Sequence, residues 1–240
     1  MLKSSLILLA ASMIWNIHAE NLTAEWDFTK GAIHSTNGKF KAKFRGTTQI
    51  AGDEKIGKYL AVGMSPKEKP EGIVMERKYP ELSPTEGFRI EAKVRLREQT
   101  SSQMHLVIWD SKYVFYNPAK PNPAFNHGVG FFLIREKNEM FRPSAWIGCG
   151  EKGSEGFVGK PVKLEEGKVY TLSFSYDGAG NALFQIDGQR NAEVKGKIGA
   201  PVSSAVNATV IGDRVGSHFN RFDGDILSVK LFTFPTPTEK

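Results

Sequence analysis

Residues 170–188, with the sequence YTLSFSYDGAGNALFQIDG, contain two Asp-Gly pairs that stand ten residues apart. Apolar and polar side chains alternate around the first pair, as they do in half-buried strands. Asp-Gly between alternating stretches is a strong hairpin signal, because Gly accepts a positive φ and Asp bonds the backbone that follows it. The stretch therefore predicts consecutive antiparallel strands joined by turns at Asp177-Gly178 and Asp187-Gly188.

The spacing of Asp177 and Asp187 argues against a catalytic pair. A strand rises about 3.3 Å per residue, so ten residues separate the two carboxylates by roughly 30 Å. The paired carboxyl groups of a glycosidase lie about 5–10 Å apart. Both aspartates are therefore interpreted as turn residues.

A period of two runs through most of the chain. Residues 88–97 alternate apolar and charged side chains without interruption, which is typical of a strand with one solvent-facing side. No window of eleven residues has the apolar stripe of an amphipathic helix. Many short strands divided by turn residues predict a sandwich or barrel. Further strands are predicted at residues 22–28, 39–45, 72–77, 104–109, 128–135, 141–147, 191–195, 208–211 and 222–234.

Three motifs in chain order suggest a family. Tyr-Asp-Gly and Asp-Gly end two successive strands in residues 170–188, VIGD follows at residues 210–213, and FDGDI follows at residues 222–226. With these motifs the chain resembles the laminin-G-like members of the concanavalin A-like superfamily, strongly over residues 170–232 and loosely over 99–168. The resemblance implies an all-β, antiparallel two-sheet jelly-roll sandwich, with residues 20–240 as one domain. It implies little about the ligand, because this fold includes lectins, glycanases, lyases and adhesion modules.

One departure from the family concerns calcium. After the Gly-x-Ile of the last strand the family commonly carries an Asp that is associated with a calcium site, whereas Leu227 stands there in this chain. Calcium takes six to eight oxygen ligands. The resemblance leaves Asp27, Asp223 and Asp225 as candidate oxygen donors. We assign no metal site from the sequence and keep calcium as an alternative.

Residues 1–19 are predicted to be a secretory signal peptide. Lys3 precedes an apolar run at residues 6–15, and Ala19 supplies a small residue at the expected cleavage point. The run is too short to span a membrane as a helix, and no later stretch approaches the necessary length. We expect a secreted, periplasmic or other extracytoplasmic protein with no membrane span after cleavage, and an uncleaved anchor is the alternative.

The overall charge and the cysteine content exclude some protein classes. The chain has 32 Lys and Arg residues against 26 Asp and Glu residues, for a net charge of +6. Nucleic-acid binders cluster these cations on one element, and no such cluster is present, so no nucleic-acid partner is expected. Cys149 is the single cysteine, which excludes an internal disulfide and is typical of a small buried residue. The oligomeric state stays open.

Residues 109–127 differ most from the family and are rich in aromatic side chains. Exposed rings can stack on sugars while polar side chains bond the hydroxyl groups, and loops on a rigid sandwich commonly carry such sites. The alternative is that the rings cover the core. The candidate ligand-binding residues are Trp109, Tyr113, Tyr116, Asn126, His127, Arg135 and Trp146.

The sequence contains no recognisable catalytic set. The glycanases of this fold carry acidic residues at alternate positions of one strand, and that spacing is missing here. No Ser/His/Asp set, metal-spaced histidine cluster or phosphate loop is present either. We therefore predict an exported, non-catalytic recognition module for carbohydrate, such as a cell-surface glycan. The alternatives are a glycan hydrolase or lyase that uses Arg135, His127 and Tyr113, and a protein-interaction module of the envelope.

Overall fold

Two antiparallel sheets pack face to face in a computed structural model of the protein, which describes residues 20–64, 69–97, 104–112, 122–216 and 220–234. These residues form sixteen strands and four short 3-10 helices. The strands are β1 (Asn21–Asp27), β2 (Ala42–Phe44), β3 (Gln49–Asp53), β4 (Gly57–Val62), β5 (Ile73–Met75), β6 (Phe88–Leu96), β7 (His105–Asp110), β8 (Val129–Arg135), β9 (Met140–Gly148), β10 (Ser154–Val158), β11 (Val162–Lys163), β12 (Val169–Tyr176), β13 (Asn181–Ile186), β14 (Gln189–Lys195), β15 (Val210–Ile211) and β16 (Gly224–Thr233). The 3-10 helices are Phe28–Lys30, Pro80–Leu82, Pro123–Asn126 and Gly150–Lys152.

The strand order confirms the predicted all-β jelly-roll sandwich. Sheet 1 has the order β14-β13-β12-β6-β16-β4-β3, and β1 also pairs with β16. Sheet 2 has the order β10-β9-β8-β7-β15-β5-β2, and β11 also pairs with β9. The pairing of β1 with β16 sets Asn21 opposite Thr233, so the two ends of the described chain lie side by side in sheet 1.

Both Asp-Gly pairs form the predicted turns at the ends of β13. Asp177 Oδ1 accepts hydrogen bonds from the backbone N–H groups of Ala179 (2.7 Å) and Asn181 (2.9 Å). Asp187 adopts a φ of 50°, and its Oδ1 accepts the N–H of Thr171 at 2.8 Å. The 6 residues of β13 rise about 20 Å, less than the 30 Å expected from the spacing but well beyond the reach of a catalytic pair.

Phe174 of β12 joins the two sheets through aromatic contacts. Its ring centroid lies 5.3 Å from that of Phe184 and 5.8 Å from that of Phe88, both in sheet 1. Across the core it lies 6.0 Å from Phe131 and 6.2 Å from Phe157, both in sheet 2. All five rings are fully buried. The inward positions of the opening stretch therefore form the contact between the sheets.

Four strands were missed by the sequence analysis, namely β3, β4, β10 and β11. β3 and β10 each form one of the two edges of their sheets, where one side of the strand lacks a pairing partner. Their sequences, QIAGD and SEGFV, mix glycine with polar residues and weaken the period of two. The strand predicted at residues 208–211 shortens to Val210–Ile211, and the one predicted at residues 39–45 shortens to Ala42–Phe44.

Cys149 lies directly after β9 and is buried, as predicted. Its Sγ is 4.0 Å from the carbonyl oxygen of Ala200, and burial raises the pKa of the thiol. Thiolates are the reactive form of cysteine, so this environment suits a packing residue.

The three carboxylates named as possible calcium donors each pair with a cationic side chain. The closest distances are 3.3 Å for Asp27–Lys30, 2.9 Å for Asp223–Arg221 and 2.7 Å for Asp225–Arg95. Asp27 also caps the 3-10 helix Phe28–Lys30. Within the described ranges, no group of three or more His, Cys, Asp or Glu side chains is arranged to hold a metal ion.

The predicted signal peptide, residues 1–19, lies outside the described residues, so it stays a prediction. In the part of the chain that the structure covers, no helix has the length and apolar character needed to cross a membrane.

We expect Phe174→Ala to lower the free energy of unfolding by about 3–5 kcal/mol, because it removes the ring that contacts both sheets and leaves a cavity. Thr171→Ala, on the outward side of the same strand, serves as the control and should change it by less than about 1 kcal/mol. The measurement is equilibrium unfolding in urea. Equal losses for the two variants would contradict the central role of Phe174.

We expect Asp177→Ala to cost about 1–2 kcal/mol, because two backbone N–H groups of the turn lose their acceptor. Glu54→Ala, which removes an exposed acid from the β3–β4 turn, is the matched control and should be near neutral. Thermal and urea unfolding measure the difference. An unchanged stability of Asp177→Ala would show that water replaces the carboxylate without loss.

Candidate functional site

The outward face of sheet 2 carries a depression that we call the Trp146 pocket. Its floor crosses three neighbouring strands, where Trp146 of β9 pairs with Gly130 of β8, and Gly130 pairs with Asp110 of β7. The depression is narrow: its volume is about 10 Å³, which is room for roughly one water molecule, so a larger ligand would lie over its mouth. The residues that line it are Val107, Asp110, Lys112, Gly130, Phe132, Trp146 and Arg214.

Two glycines make room for the indole of Trp146. Gly156 of the edge strand β10 pairs with Trp146, and a Cβ at this glycine would lie 3.0 Å from Cδ1 and Nε1 of the indole. On the other side, Gly130 presents only backbone to the pocket. The indole can therefore lie close to the sheet, where it is half-buried and keeps part of its surface accessible.

Edge-on contacts fix the orientation of the indole. The ring centroid of Phe132 lies 5.3 Å from that of Trp146, at an interplanar angle of 78°. The imidazole of His105 lies 5.9 Å from the indole at 63°, and Arg214 Cζ lies 5.7 Å from the ring centroid of Trp146. Burial, together with the charge of Arg214, lowers the pKa of His105, so this imidazole is neutral at pH 7. The indole is thus held by two rings and one guanidinium.

Two buried aspartates position the loop that carries Arg214. Asp110 Oδ2 accepts the N–H of Val215 at 2.8 Å, and its Oδ1 accepts the N–H of Lys112 at 3.1 Å. Asp213 Oδ1 accepts the N–H of Arg214 at 2.7 Å. Burial raises the pKa of Asp213 to about 6. These bonds tie the loop to the end of β7 and so hold the guanidinium at the pocket.

Lys112 supplies a buried ammonium group to the pocket. Its Nζ donates a hydrogen bond to the carbonyl oxygen of Phe125 at 2.6 Å, and it lies 3.8 Å from the centroid of the Phe125 ring. Lys112 is only 2% exposed, and burial lowers its pKa to about 8, although the charge of Asp110 opposes the shift. Among the described residues, no carboxylate forms an ion pair with this ammonium.

The structure corrects the sequence-based assignment of Trp109 as a ligand-binding residue. A bulge between Val107 and Trp109 shifts the register of β7 against β8. Beyond the bulge, Trp109 faces inward, is 0% exposed and packs edge-on against Trp26 at 5.9 Å. Trp109 is therefore a core residue, and its ring cannot reach a ligand on the surface.

Asn126 and His127 lie beside the Trp146 pocket on the same face of sheet 2. Asn126 ends the 3-10 helix Pro123–Asn126 and packs over Gly148, two positions along β9 from Trp146. Its Oδ1 accepts the hydroxyl of Ser154 at 2.9 Å, and His127 Nδ1 lies 2.8 Å from the hydroxyl oxygen of Ser203. Both side chains are partly exposed. They stay candidates for the rim of the site.

The remaining predicted residues are not brought to the pocket. Arg135 ends β8, whereas His127 precedes it, and eight residues of extended chain separate the two by roughly 25 Å. Arg135 instead borders a second depression with Glu139 and Lys163. Since Arg135 and His127 lie at opposite ends of one strand, they cannot act together on one sugar. Tyr113 and Tyr116 lie outside the described residues.

Most of the pocket was missed by the sequence analysis. Phe132 lies between Phe131 and Leu133 in a strand that is apolar on both faces. The period of two therefore does not show that Phe132 faces outward while its two neighbours face the core. Arg214 and Lys112 come from segments about a hundred residues apart, which only the folded chain brings together. The available signal was Lys112 itself, a charged residue three positions after the apolar run at residues 106–109 of β7.

Comparisons with known proteins place the chain by its fold. No protein-family model and no curated protein matches the sequence. Among solved structures, it is similar to domain 4 of AbnA, a GH43 extracellular arabinanase from Geobacillus stearothermophilus, in complex with arabinotriose, with a TM-score of 0.58 and 18% identity over 90% of this chain and 93% of that one.

The chain is also similar to the binding domains of botulinum neurotoxin serotypes D/C and G. The TM-scores are 0.57 and 0.55, at 13% and 11% identity over 92% of this chain. The chain spans 49% of the length of each of those two toxin chains. At such identities the likeness shows the β-sandwich fold alone.

The pKa of Lys112 predicts a pH dependence of stability. Its folded value of about 8 lies below the unfolded value of 10.5, so between these limits the unfolded chain binds more protons and stability rises with pH. We expect the free energy of unfolding of the wild type, relative to Lys112→Met, to increase by up to about 3 kcal/mol from pH 7.5 to 10.5. Urea unfolding across this range measures the difference.

Lys152→Met, at an exposed lysine, is the matched control for that series. Its free energy of unfolding should change with pH in the same way as that of the wild type. If Lys112→Met also runs parallel to the wild type, the ammonium is solvated in the folded protein and the pocket differs from the one described.

Proposed function

We propose that this protein is an exported, non-catalytic carbohydrate-recognition module of the laminin-G-like type, which binds a sugar at the Trp146 pocket. The observation that carries the proposal is the half-buried indole of Trp146, held on the outward face of sheet 2 beside buried polar groups. Export follows from the leader pattern in residues 1–19.

The composition of the pocket suits a sugar. Small-molecule sites are mainly apolar with a few placed polar groups that fix orientation. Trp146, the one partly exposed residue of the described lining, supplies apolar surface for the C–H face of a pyranose or furanose ring, and the buried Phe132 supports the indole. Lys112 and Arg214 supply donors for its oxygen atoms, and Asp110 supplies acceptor lone pairs. A ligand that is apolar on one face and hydroxylated at its edge matches this distribution.

The chemistry of the pocket favours binding over glycan cleavage. Glycoside hydrolysis ordinarily needs two carboxyl groups about 5–10 Å apart across the bond. Among the described residues that line the pocket, Asp110 is the single carboxylate, and its two oxygens accept backbone N–H groups. The outward positions of the central strand β8 are Gly130, Phe132 and Ile134, which carry no acid. This composition supports a non-catalytic role.

The fold comparison gives independent support. The arabinanase domain that shares this fold over 93% of its length was solved in complex with arabinotriose. The β-sandwich is therefore compatible with a saccharide ligand, and a neutral oligosaccharide of that kind belongs in the first binding panel.

The test is a binding panel of plant and bacterial polysaccharides and of oligosaccharides, read by affinity electrophoresis and by calorimetry. We expect Trp146→Ala to weaken binding of any saccharide ligand at least tenfold, or by about 1.4 kcal/mol, because the stacking surface is lost. The chain has four tryptophans. Trp15 belongs to the predicted leader, and Trp26 and Trp109 are fully buried, so in protein that starts at residue 20 ligand-dependent changes in tryptophan fluorescence should come from Trp146.

The matched control is Tyr59→Ala, which removes another half-buried ring that lies beside an arginine, with Arg95 Cζ at 5.1 Å. Tyr59 is in sheet 1, on the opposite face of the sandwich, so its loss should leave binding unchanged. Failure of every saccharide to bind, or equal affinities of the two variants, would overturn the proposal.

A further inference from the structure

The charge of the Trp146 pocket is positive. Two cationic side chains, Lys112 and Arg214, and one carboxylate, Asp110, line it. The imidazole of His105, which contacts the indole, is neutral at pH 7 because its pKa is lowered. The described lining therefore carries one net positive charge at neutral pH, beside an aromatic surface.

The ammonium of Lys112 has unused capacity for hydrogen bonds. An ammonium has three N–H donors, and in the described structure Nζ donates one of them, to the carbonyl oxygen of Phe125. The cation also lies over the Phe125 ring, which stabilises its charge in part. A buried ammonium without a carboxylate partner carries a large desolvation cost, which an added anion would offset.

The nearby carboxylate is engaged elsewhere. Asp110 accepts the backbone N–H groups of Lys112 and Val215, one on each oxygen, and so holds the loops around the pocket in place. It faces the ammonium of Lys112 without forming an ion pair with it. The pocket thus keeps a cation that the local carboxylate does not neutralise by contact.

We propose that the Trp146 pocket selects an acidic sugar, whose anionic group pairs with the Lys112 ammonium while the sugar ring lies against Trp146. This inference rests on the proposed carbohydrate-binding function and narrows its ligand class. A carboxylate of a uronic acid and a sulfate ester share the required chemistry, a single anionic group on a sugar ring.

Titration of Lys112 gives the proposal a second signature. The groups that face the ammonium are Asp110, Arg214 and Cys149 together with the Phe125 ring. Burial raises the pKa of the Cys149 thiol. Since the pKa of Lys112 is about 8, affinity for an acidic sugar should fall roughly tenfold between pH 7 and pH 9. Affinity for a neutral sugar should not change.

The experiment compares trigalacturonate with its methyl ester, which has the same ring but no charge. At pH 6.5 and low salt, we expect the wild type to bind the acid at least tenfold more tightly than the ester. Lys112→Met should abolish this preference, so that this variant binds the acid no more tightly than the ester. Lys152→Met, the exposed-lysine control, and Lys112→Arg, which keeps the charge, should both retain the preference.

Galactose 6-sulfate and galactose form a second pair of probes that distinguishes the two sources of the anion. Preference for either acidic probe, lost in Lys112→Met, supports the proposal and identifies the group. Equal affinities for acid and neutral probes, or a preference that survives in Lys112→Met, overturns it. If Lys112→Met does not fold, the affinities of the wild type between pH 7 and pH 9 decide. The proposal is also overturned if the affinities for the acid and for the ester change with pH in the same way.

The outcomes separate this inference from the proposed function. Neutral and acidic sugars that bind equally, with both lost in Trp146→Ala, would retain carbohydrate recognition and remove the selectivity. Binding of no sugar, or binding that is insensitive to Trp146→Ala, would remove both.

Discussion

The contact of Phe174 with the rings of both sheets is the interaction on which the rest of the structure depends. It uses the inward positions of β12, and the same alternation assigns Phe131 and Phe157 to the core from the opposite sheet. Every inward position is then fixed by packing, because interiors are close-packed and tolerate few changes of volume. The outward positions carry no such constraint. The Trp146 pocket is built from them, on a floor that the core holds rigid.

The sequence predicted the strands best where alternation and turn chemistry agree. In residues 170–188 the period of two, Asp177 and Asp187 all indicate the same hairpins, and the structure has them. Prediction failed where the period carries no information. The strand β8 was predicted, but both of its faces are apolar, so the pattern did not show which side faces outward. The strands β3 and β10 were missed, because glycine and polar residues interrupt their pattern.

The two tryptophans that were predicted to bind ligand show why the site was only half found. Trp109 and Trp146 both lie in predicted strands, and composition treats them alike. The bulge in β7 adds one residue and turns Trp109 into the core, whereas Trp146 keeps an outward position over Gly156. A bulge is set by the register between strands, which a single sequence does not state. The contributions of Lys112 and Arg214 depend in the same way on distant segments that meet only after folding.

The pairing of Asn21 with Thr233 has a consequence for how the protein would present its pocket. Both ends of the described chain leave from sheet 1, and the Trp146 pocket opens on the outward face of sheet 2. A surface, bead or fusion partner joined at either end would therefore sit behind the sandwich and leave the pocket unobstructed. The adjacency also makes the chain a good subject for circular permutation, in which new ends could be opened at an exposed turn such as Glu54–Lys55.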